Sequence, residues 1–264
     1  MQRTILLAVF LTYILPLNAQ LVNIESKRKG NKEGLIGVYA FSFDYKQSTK
    51  DIIQVKNNIN VQYKKKGHTL LLINDINYLS VTEQAALING GLEHIRYNYT
   101  LNNGLSRVTY EAFVQHQYNH IKLLQTRFIT GGGPRFRVFG NDTSRYYLFL
   151  CPLFMYEYEQ LKEELIAENE PEEISRMKGD FYISTGYQIT KHIAINHVTY
   201  YQPFFGNLRD YRLSIDTSLD FKFSEKFSFG FIINFEYDSA PPRTPTGELR
   251  NLFTTFNNRI IYSF

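Results

Sequence analysis

The chain has no tryptophan, and its 264 residues include a single cysteine, Cys151. One thiol excludes an internal disulfide framework. Beyond the first twenty residues it lacks any apolar run long enough to form a membrane helix, which needs about 20 residues. It also lacks a strong excess of one charge. The net charge of +4 is too small to argue for a nucleic-acid partner. What the chain does have is aromatic surface, with 20 Tyr and 21 Phe. A water-soluble domain would have to hide those rings, so their placement decides the fold class.

The first residues, MQRTILLAVFLTYILPLNAQ, combine a basic start at Arg3, an apolar run from Ile5 to Leu15, then Pro16 and Ala19. This is the layout of a secretory signal peptide. The run is about half the length a spanning helix requires. Cleavage after Ala19 is expected, although Leu17 stands where a small residue is preferred. No cysteine follows the run, which argues against a lipid-anchored lipoprotein. The expected division is a signal peptide over 1–19, a periplasmic segment over 20–33 and one β-domain over 34–264.

From Gly34 onward, alternation with a period of two dominates. In DYRLSIDTSLDFKF, Tyr211, Leu213, Ile215, Leu219, Phe221 and Phe223 share one face. Arg212, Ser214, Asp216, Ser218, Asp220 and Lys222 share the other. Phe227, Phe229, Phe231, Ile233, Phe235 and Tyr237 continue the pattern. Twelve such segments are predicted, at 34–47, 52–64, 68–78, 86–101, 104–118, 121–138, 145–159, 179–189, 192–203, 209–223, 226–238 and 249–264.

The even-numbered connections read as tight turns: Lys65-Lys66-Gly67, Asn102-Asn103, Gly140-Asn141-Asp142, Thr190-Lys191 and Ser224-Glu225. The odd-numbered ones are generally longer, the seventh running from about Gln160 to Lys178 and the eleventh from about Ser239 to Glu248. Short connections at one end and long ones at the other are the pattern of an outer-membrane barrel. Lipid offers no hydrogen-bond partners, so strands cross a bilayer only in a closed sheet. Tyr45, Tyr63, Tyr78, Tyr99, Tyr118, Tyr158, Tyr237 and Tyr262 crowd the segment ends, as interfacial girdles require. The expectation is an all-β chain: a single antiparallel transmembrane β-barrel of about 12 strands in the cell outer membrane. A soluble, lipocalin-like periplasmic barrel with its faces reversed would show the same period and is the alternative.

The chain stops on NNRIIYSF, inside a strand. A barrel's last strand closes against its first, which gives it a reason to end in the sheet. The aromatic-x-Phe ending, Tyr262 and Phe264, is similar to the C-terminal recognition sequence of outer-membrane barrels. It implies contact with the barrel-assembly machinery. Arg259 stands where a glycine is often found.

YEAFVQHQYNHIKLLQTRFITGGGPRFRVF (Tyr110–Phe139) and RYYLFLCPLFMYEYE (Arg145–Glu159) carry a family resemblance. An acidic-x-Phe strand precedes a Gln/Tyr-rich turn, Leu-x-x-Arg, a Gly-rich strand and a strand ending Tyr-Glu. The chain resembles the salt-induced outer-membrane proteins, also described as domain of unknown function 481. The resemblance implies an outer-membrane barrel and no known reaction.

Candidate chemistry is sparse. ITGGGPRF is no phosphate loop, because no Lys-Ser/Thr and no helix follow; glycines in a strand mark a bend or close approach. The histidines, His68, His94, His116, His120, His192 and His197, show no metal-site spacing on a helix and read as lone imidazoles at the rims. A lipid hydrolase could use a His–Ser pair on the lipid face. The nearest local match is His197-Val198-Thr199, with Thr in place of Ser and no evident acid. No catalytic residue, metal or cofactor is therefore expected, nor an enzyme.

By parity, Lys56, Arg96, Arg107, Glu111, Arg127, Arg135, Arg137, Glu157, Asp216, Asp220 and Glu236 should line the lumen. Six basic against five acidic residues suggest pairing across neighbouring strands rather than a selective ring of one sign. The glycine bend at 131–133 could flip Arg135 and Arg137. The acidic stretch LKEELIAENEPEEISRMK reads as an external loop with a short helix ending near Asn169. Expected partners are outer-membrane lipid, the assembly machinery and an unknown small solute or ion, with no nucleic acid. The leading functional expectation is a narrow channel, since twelve strands lie between side-chain-filled and open barrels. The alternative is a structural envelope barrel with a closed, salt-bridged lumen.

Overall fold

The computed structural model describes residues 33–47, 50–82, 86–140, 144–224 and 227–262. The signal segment, residues 20–32 and Phe264 lie outside the described residues, as does the side chain of Tyr262.

Twelve long strands form one antiparallel sheet in strict chain order. They are β1 (Gly34–Gln47), β2 (Asp51–Lys65), β3 (His68–Val81), β4 (Ile88–Thr100), β5 (Val108–Asn119) and β6 (Leu124–Phe139). They continue with β7 (Tyr146–Leu161), β8 (Glu173–Thr190), β9 (Ile193–Phe204), β10 (Asn207–Lys222), β11 (Phe227–Asp238) and β12 (Leu252–Tyr262). A two-rung hairpin pairing Arg243 with Glu248 and Thr244 with Gly247 folds inside the last connection. Because each strand pairs with its sequence neighbours, every connection is short-range, and alternation fixes which face each residue takes.

The sheet is curled. Lys122, in the β5–β6 connection, places its Nζ 2.5 Å from Glu236 Oε2 on β11. From β6 to β11 is five strand spacings, about 24 Å along a flat sheet. Only strong curvature brings those side chains together. Among the described residues no pairing joins β12 to β1, so closure of the sheet, as the sequence predicts, is not seen there. Phe41 and Phe43 on β1 are 57% and 60% exposed.

The faces are inverted relative to a water-soluble protein. Phe128, Phe154, Ile183 and Phe235 stand outside, while Arg96, Glu111, Glu157, Lys178 and Asp180 are buried inside. The interior also holds an apolar cluster built from Phe113, Ile129, Phe149, Cys151, Leu153, Met155, Tyr182, Val198 and Tyr200. The inside is therefore not uniformly polar, as the parity reading had it.

Three local expectations need correction. The fourth connection is not a two-residue turn: it runs over 101–107 and contains a single 3-10 turn, Asn102–Gly104. Asn102 and Asn103 both sit at positive φ, 53° and 54°, which asparagine tolerates better than most residues. The seventh connection forms a single 3-10 turn at Glu163–Leu165 in place of the expected short helix ending near Asn169, and β8 begins at Glu173, six residues before the predicted start at 179. The ninth connection, at the end carrying the long loops, is only Phe205-Gly206.

Candidate functional site: the ion-paired interior

β7 shows how the sequence builds the interior. Its inward positions read Phe149, Cys151, Leu153, Met155, then Glu157, Glu159 and Leu161. The strand thus changes from apolar to acidic as it approaches the end carrying the seventh and eleventh connections. A buried carboxylate is costly unless paired and hydrogen-bonded. Each of these two is held by several cations.

Glu157 is only 1% exposed and is contacted by three. Arg127 donates from Nε at 2.6 Å and also from Nη2. Lys178 Nζ lies 2.5 Å from Oε2. Arg212 Nη1 donates to Oε1 at 2.8 Å. Glu159 takes Arg212 as a fork, Nη1 at 2.7 Å and Nη2 at 3.0 Å. Arg212 completes its donors on Asp238 at 2.8 Å. Arg176 and Asp210 pair beside this group at 2.8 Å.

A second network spans β4 to β8. Arg96 Nη1 donates to Glu111 Oε2 at 2.8 Å, and the Tyr182 hydroxyl donates to the same oxygen at 2.8 Å. His94 is buried between Gln115, 2.9 Å from Nδ1, and Arg96, whose Nε lies 3.3 Å from Nε2. Arg135 stacks over the Phe149 ring at 3.5 Å, with Glu111 3.9 Å from its Nε. Desolvated cation–π contacts of this kind are worth about 2 kcal/mol.

The predicted lining residues sort clearly. Arg96, Glu111, Arg127, Arg135, Glu157, Asp216 and Glu236 are buried inside. Asp216 accepts from Asn234 at 3.0 Å. Lys56 and Asp220 are half-buried, and Asp220 accepts from Asn196 and Ser218. Arg107 is a correction: it sits in the 101–107 connection and is exposed. Arg137 lies beside it at the rim, its Nη2 3.3 Å from Ser106 O. The glycine run leaves Arg135 inward, so parity is not flipped there. Its cause is close approach: a Cβ on Gly131 would meet Phe154 O at 2.5 Å and the Phe113 ring at 2.9 Å.

Sequence reasoning missed Lys122, Glu159, Arg176, Lys178, Asp180, Arg212 and Asp238 as site residues. Lys178 and Arg176 were lost with the late start of the eighth strand. Arg212 was on the polar parity already and could have been found by extending the list one rung.

The histidines are not all at rims. His94 is interior and 1% exposed. His120 lies 2.7 Å from Lys162 Nζ across two connections. His197 faces out with threonine hydroxyls on both nitrogens, Thr217 and Thr199, each at 2.9 Å, and no carboxylate in contact among the described residues.

Above the ion-paired cluster the seventh and eleventh connections meet, Ala167 N donating to Arg243 O at 3.0 Å. Beneath them lies a cavity of ≈ 90 Å³ lined by Lys122, Glu159, Arg212 and Phe253, with Pro171 and Pro241 at its edge. Among the described residues no group of three metal-ligating side chains converges.

The family model described as "Protein of unknown function, DUF481" matches residues 39–258. No curated protein and no solved structure matches the chain.

Proposed function

We propose that this chain, which belongs to the DUF481 family, is an integral outer-membrane β-barrel with a closed, ion-paired interior and a structural role in the envelope. The inversion of its faces carries the reading. Exposed Phe and Tyr on outward positions of most strands make far more continuous apolar surface than a water-soluble monomer presents. In a bilayer the same surface meets acyl chains, and the polar face is satisfied inside. The strands run from 11 to 18 residues, enough for the 9–11 that cross a membrane. Both described ends of the sheet, Gly34 and Tyr262, lie at the end away from the long seventh and eleventh connections, which fits a periplasmic placement of the termini.

A narrow channel ranks second to a closed barrel because of burial. Lys178, Leu153, Ser184 and Ser214 are all 0% exposed, so side chains fill the interior from β7 to β10. Expected partners remain lipid around the barrel and the assembly machinery at the C-terminal Tyr262 and Phe264.

The test is migration on SDS gels with and without boiling, followed by conductance in a planar bilayer. A shift on boiling together with a silent bilayer is the expected result. A water-soluble periplasmic protein with no shift would overturn the membrane reading, and stable single-channel steps would overturn the closed interior.

A further inference from the structure

The outward face carries one arrangement that the closed-barrel reading does not use. On β4, β5 and β6, Glu93, His116 and Thr126 form a hydrogen-bonded line. Glu93 Oε2 lies 2.7 Å from His116 Nδ1, and His116 Nε2 lies 3.0 Å from Thr126 Oγ1. A carboxylate can only accept, so it fixes the hydrogen on Nδ1 and leaves the Nε2 lone pair facing the threonine hydroxyl. Acid, base and hydroxyl therefore stand in the order and at the separations of an acyl-transfer relay.

The backbone is adapted to this line. Between Gln117–Arg127 and Asn119–Leu124 the β5–β6 register slips, placing Gln125 and Thr126 opposite Tyr118 alone. This is a bulge, a device that re-aims a side chain and is frequent beside active sites. Gln125 also has no partner in the β6–β7 register, where Leu124 pairs with Leu161 and Thr126 with Gln160. Phe128 stacks on His116 at 4.6 Å and holds the ring. Tyr118 lies flat over Gly91, where a Cβ would meet its ring at 2.4 Å. The site is open: the Glu93 and His116 side chains are 54% and 30% exposed.

Its height selects the substrate, and here the inference rests on the membrane reading above. His116 is three residues from the end of β5 at Asn119. At about 3.4 Å per residue and a tilt near 40°, that is roughly 8 Å below the rim. β5 has 12 residues and so spans about 31 Å vertically by the same arithmetic, against an apolar band of about 25 Å. The hydroxyl then lies just inside the band, at the depth of the ester bonds that join acyl chains to head groups.

We propose that Thr126, His116 and Glu93 form a lipid-ester hydrolase site on the outer face of the barrel. His116 Nε2 takes the Thr126 proton as Oγ1 attacks the ester carbonyl carbon. The carbon–oxygen bond to the head-group alcohol breaks, and His116 returns the proton to that leaving oxygen. Water, activated by the same imidazole, then cleaves the acyl-threonine. The sum is ester plus water giving a fatty acid and an alcohol. Thr126 and His116 are catalytic residues, and Glu93 is a positioning residue.

The test uses the mature chain extracted in detergent and shown folded by its shift on boiling. It is treated with a fluorophosphonate probe, then assayed in mixed micelles of phosphatidylethanolamine and, separately, of an acylated glucosamine lipid. Labelling at Thr126 and release of fatty acid from one of the two lipids is the expected result, and the lipid that reacts identifies the source. Thr126→Val should abolish both signals, whereas Thr126→Ser should keep them. His116→Asn should slow hydrolysis by roughly 10²–10⁴-fold. Glu93→Gln should lower kcat with KM unchanged. His197→Ala, on another strand, should change nothing. A heat-modifiable protein that is not labelled and hydrolyses neither lipid above the Thr126→Val level overturns this site and leaves the barrel standing. Absence of the gel shift would instead remove the membrane reading on which the choice of substrate rests.

Discussion

Replacing Glu157 by alanine should be among the most damaging single changes to this fold. The carboxylate faces Arg127, Lys178 and Arg212 at once, and its side chain is 1% exposed. The three cations are not equally harmed by its loss. Arg127 keeps Glu159 at 3.0 Å, and Arg212 keeps both Glu159 and Asp238. Lys178, 0% exposed, has its ion pair among the described residues with Glu157 alone. The cost is therefore close to that of one stranded, buried ammonium, about 3–5 kcal/mol when one partner of a buried pair is removed. That is roughly a 10²–10⁴-fold change in the folding equilibrium. Since the chain has no tryptophan, the assay is the fraction of fast-migrating, unboiled protein across a guanidinium titration in detergent micelles. Lys178→Met in the Glu157→Leu background should recover most of the loss, because removing both partners leaves no stranded charge. If Glu157→Ala costs under about 1 kcal/mol, as an exposed pair would, then water reaches these groups and the interior is not closed.

Other consequences are as specific. Trimming Glu157, Lys178 and Arg212 together to alanine should open a conductance in a planar bilayer that the unaltered chain lacks. Gly132→Ala should destabilise by about 1–3 kcal/mol, because its Cβ would meet Glu111 O at 2.5 Å; an unchanged unfolding midpoint would refute the close approach. Cys151, 2% exposed, should resist thiol reagents until the sample is boiled. Lys122→Ala should leave the strand content by circular dichroism unaltered while lowering the midpoint, since it removes one contact across the curl and no ladder rung.

Most of the architecture was legible because a period of two states which face a residue takes, and in this chain the two faces differ sharply. Parity put Arg96, Glu111, Arg127, Glu157 and Glu236 on one face, and the structure buries all five. It failed at element ends. Val108, not Gly104, starts β5, so Arg107, expected on the inward face, is a connection residue. The charged run before Gly179 resembled a solvated loop, although Arg176 and Lys178 are strand residues facing inward. Pairing was only partly visible: Arg96–Glu111 joins neighbours, but Arg212–Glu157 and Tyr182–Glu111 each skip two strands. No local pattern encodes curvature. The Glu93, His116 and Thr126 line escaped for the same reason, since its members are spread over 33 positions of chain and meet through a bulge that alternation does not announce.

Contacts that skip strands divide the labour of this molecule. The hydrogen-bonded ladder fixes only which strands adjoin, and it would be the same in a flat ribbon. Roundness is held by a few long chords, Arg212 to Glu157 and Glu159, Tyr182 to Glu111, and Lys122 to Glu236. The last of these closes a loop of 114 positions. Contacts of such long sequence separation carry a large loop-closure cost and slow folding. The curvature of the sheet is thus held by electrostatics that can be weakened without loss of a single rung, and the shape of this sheet can respond to ions while its secondary structure does not.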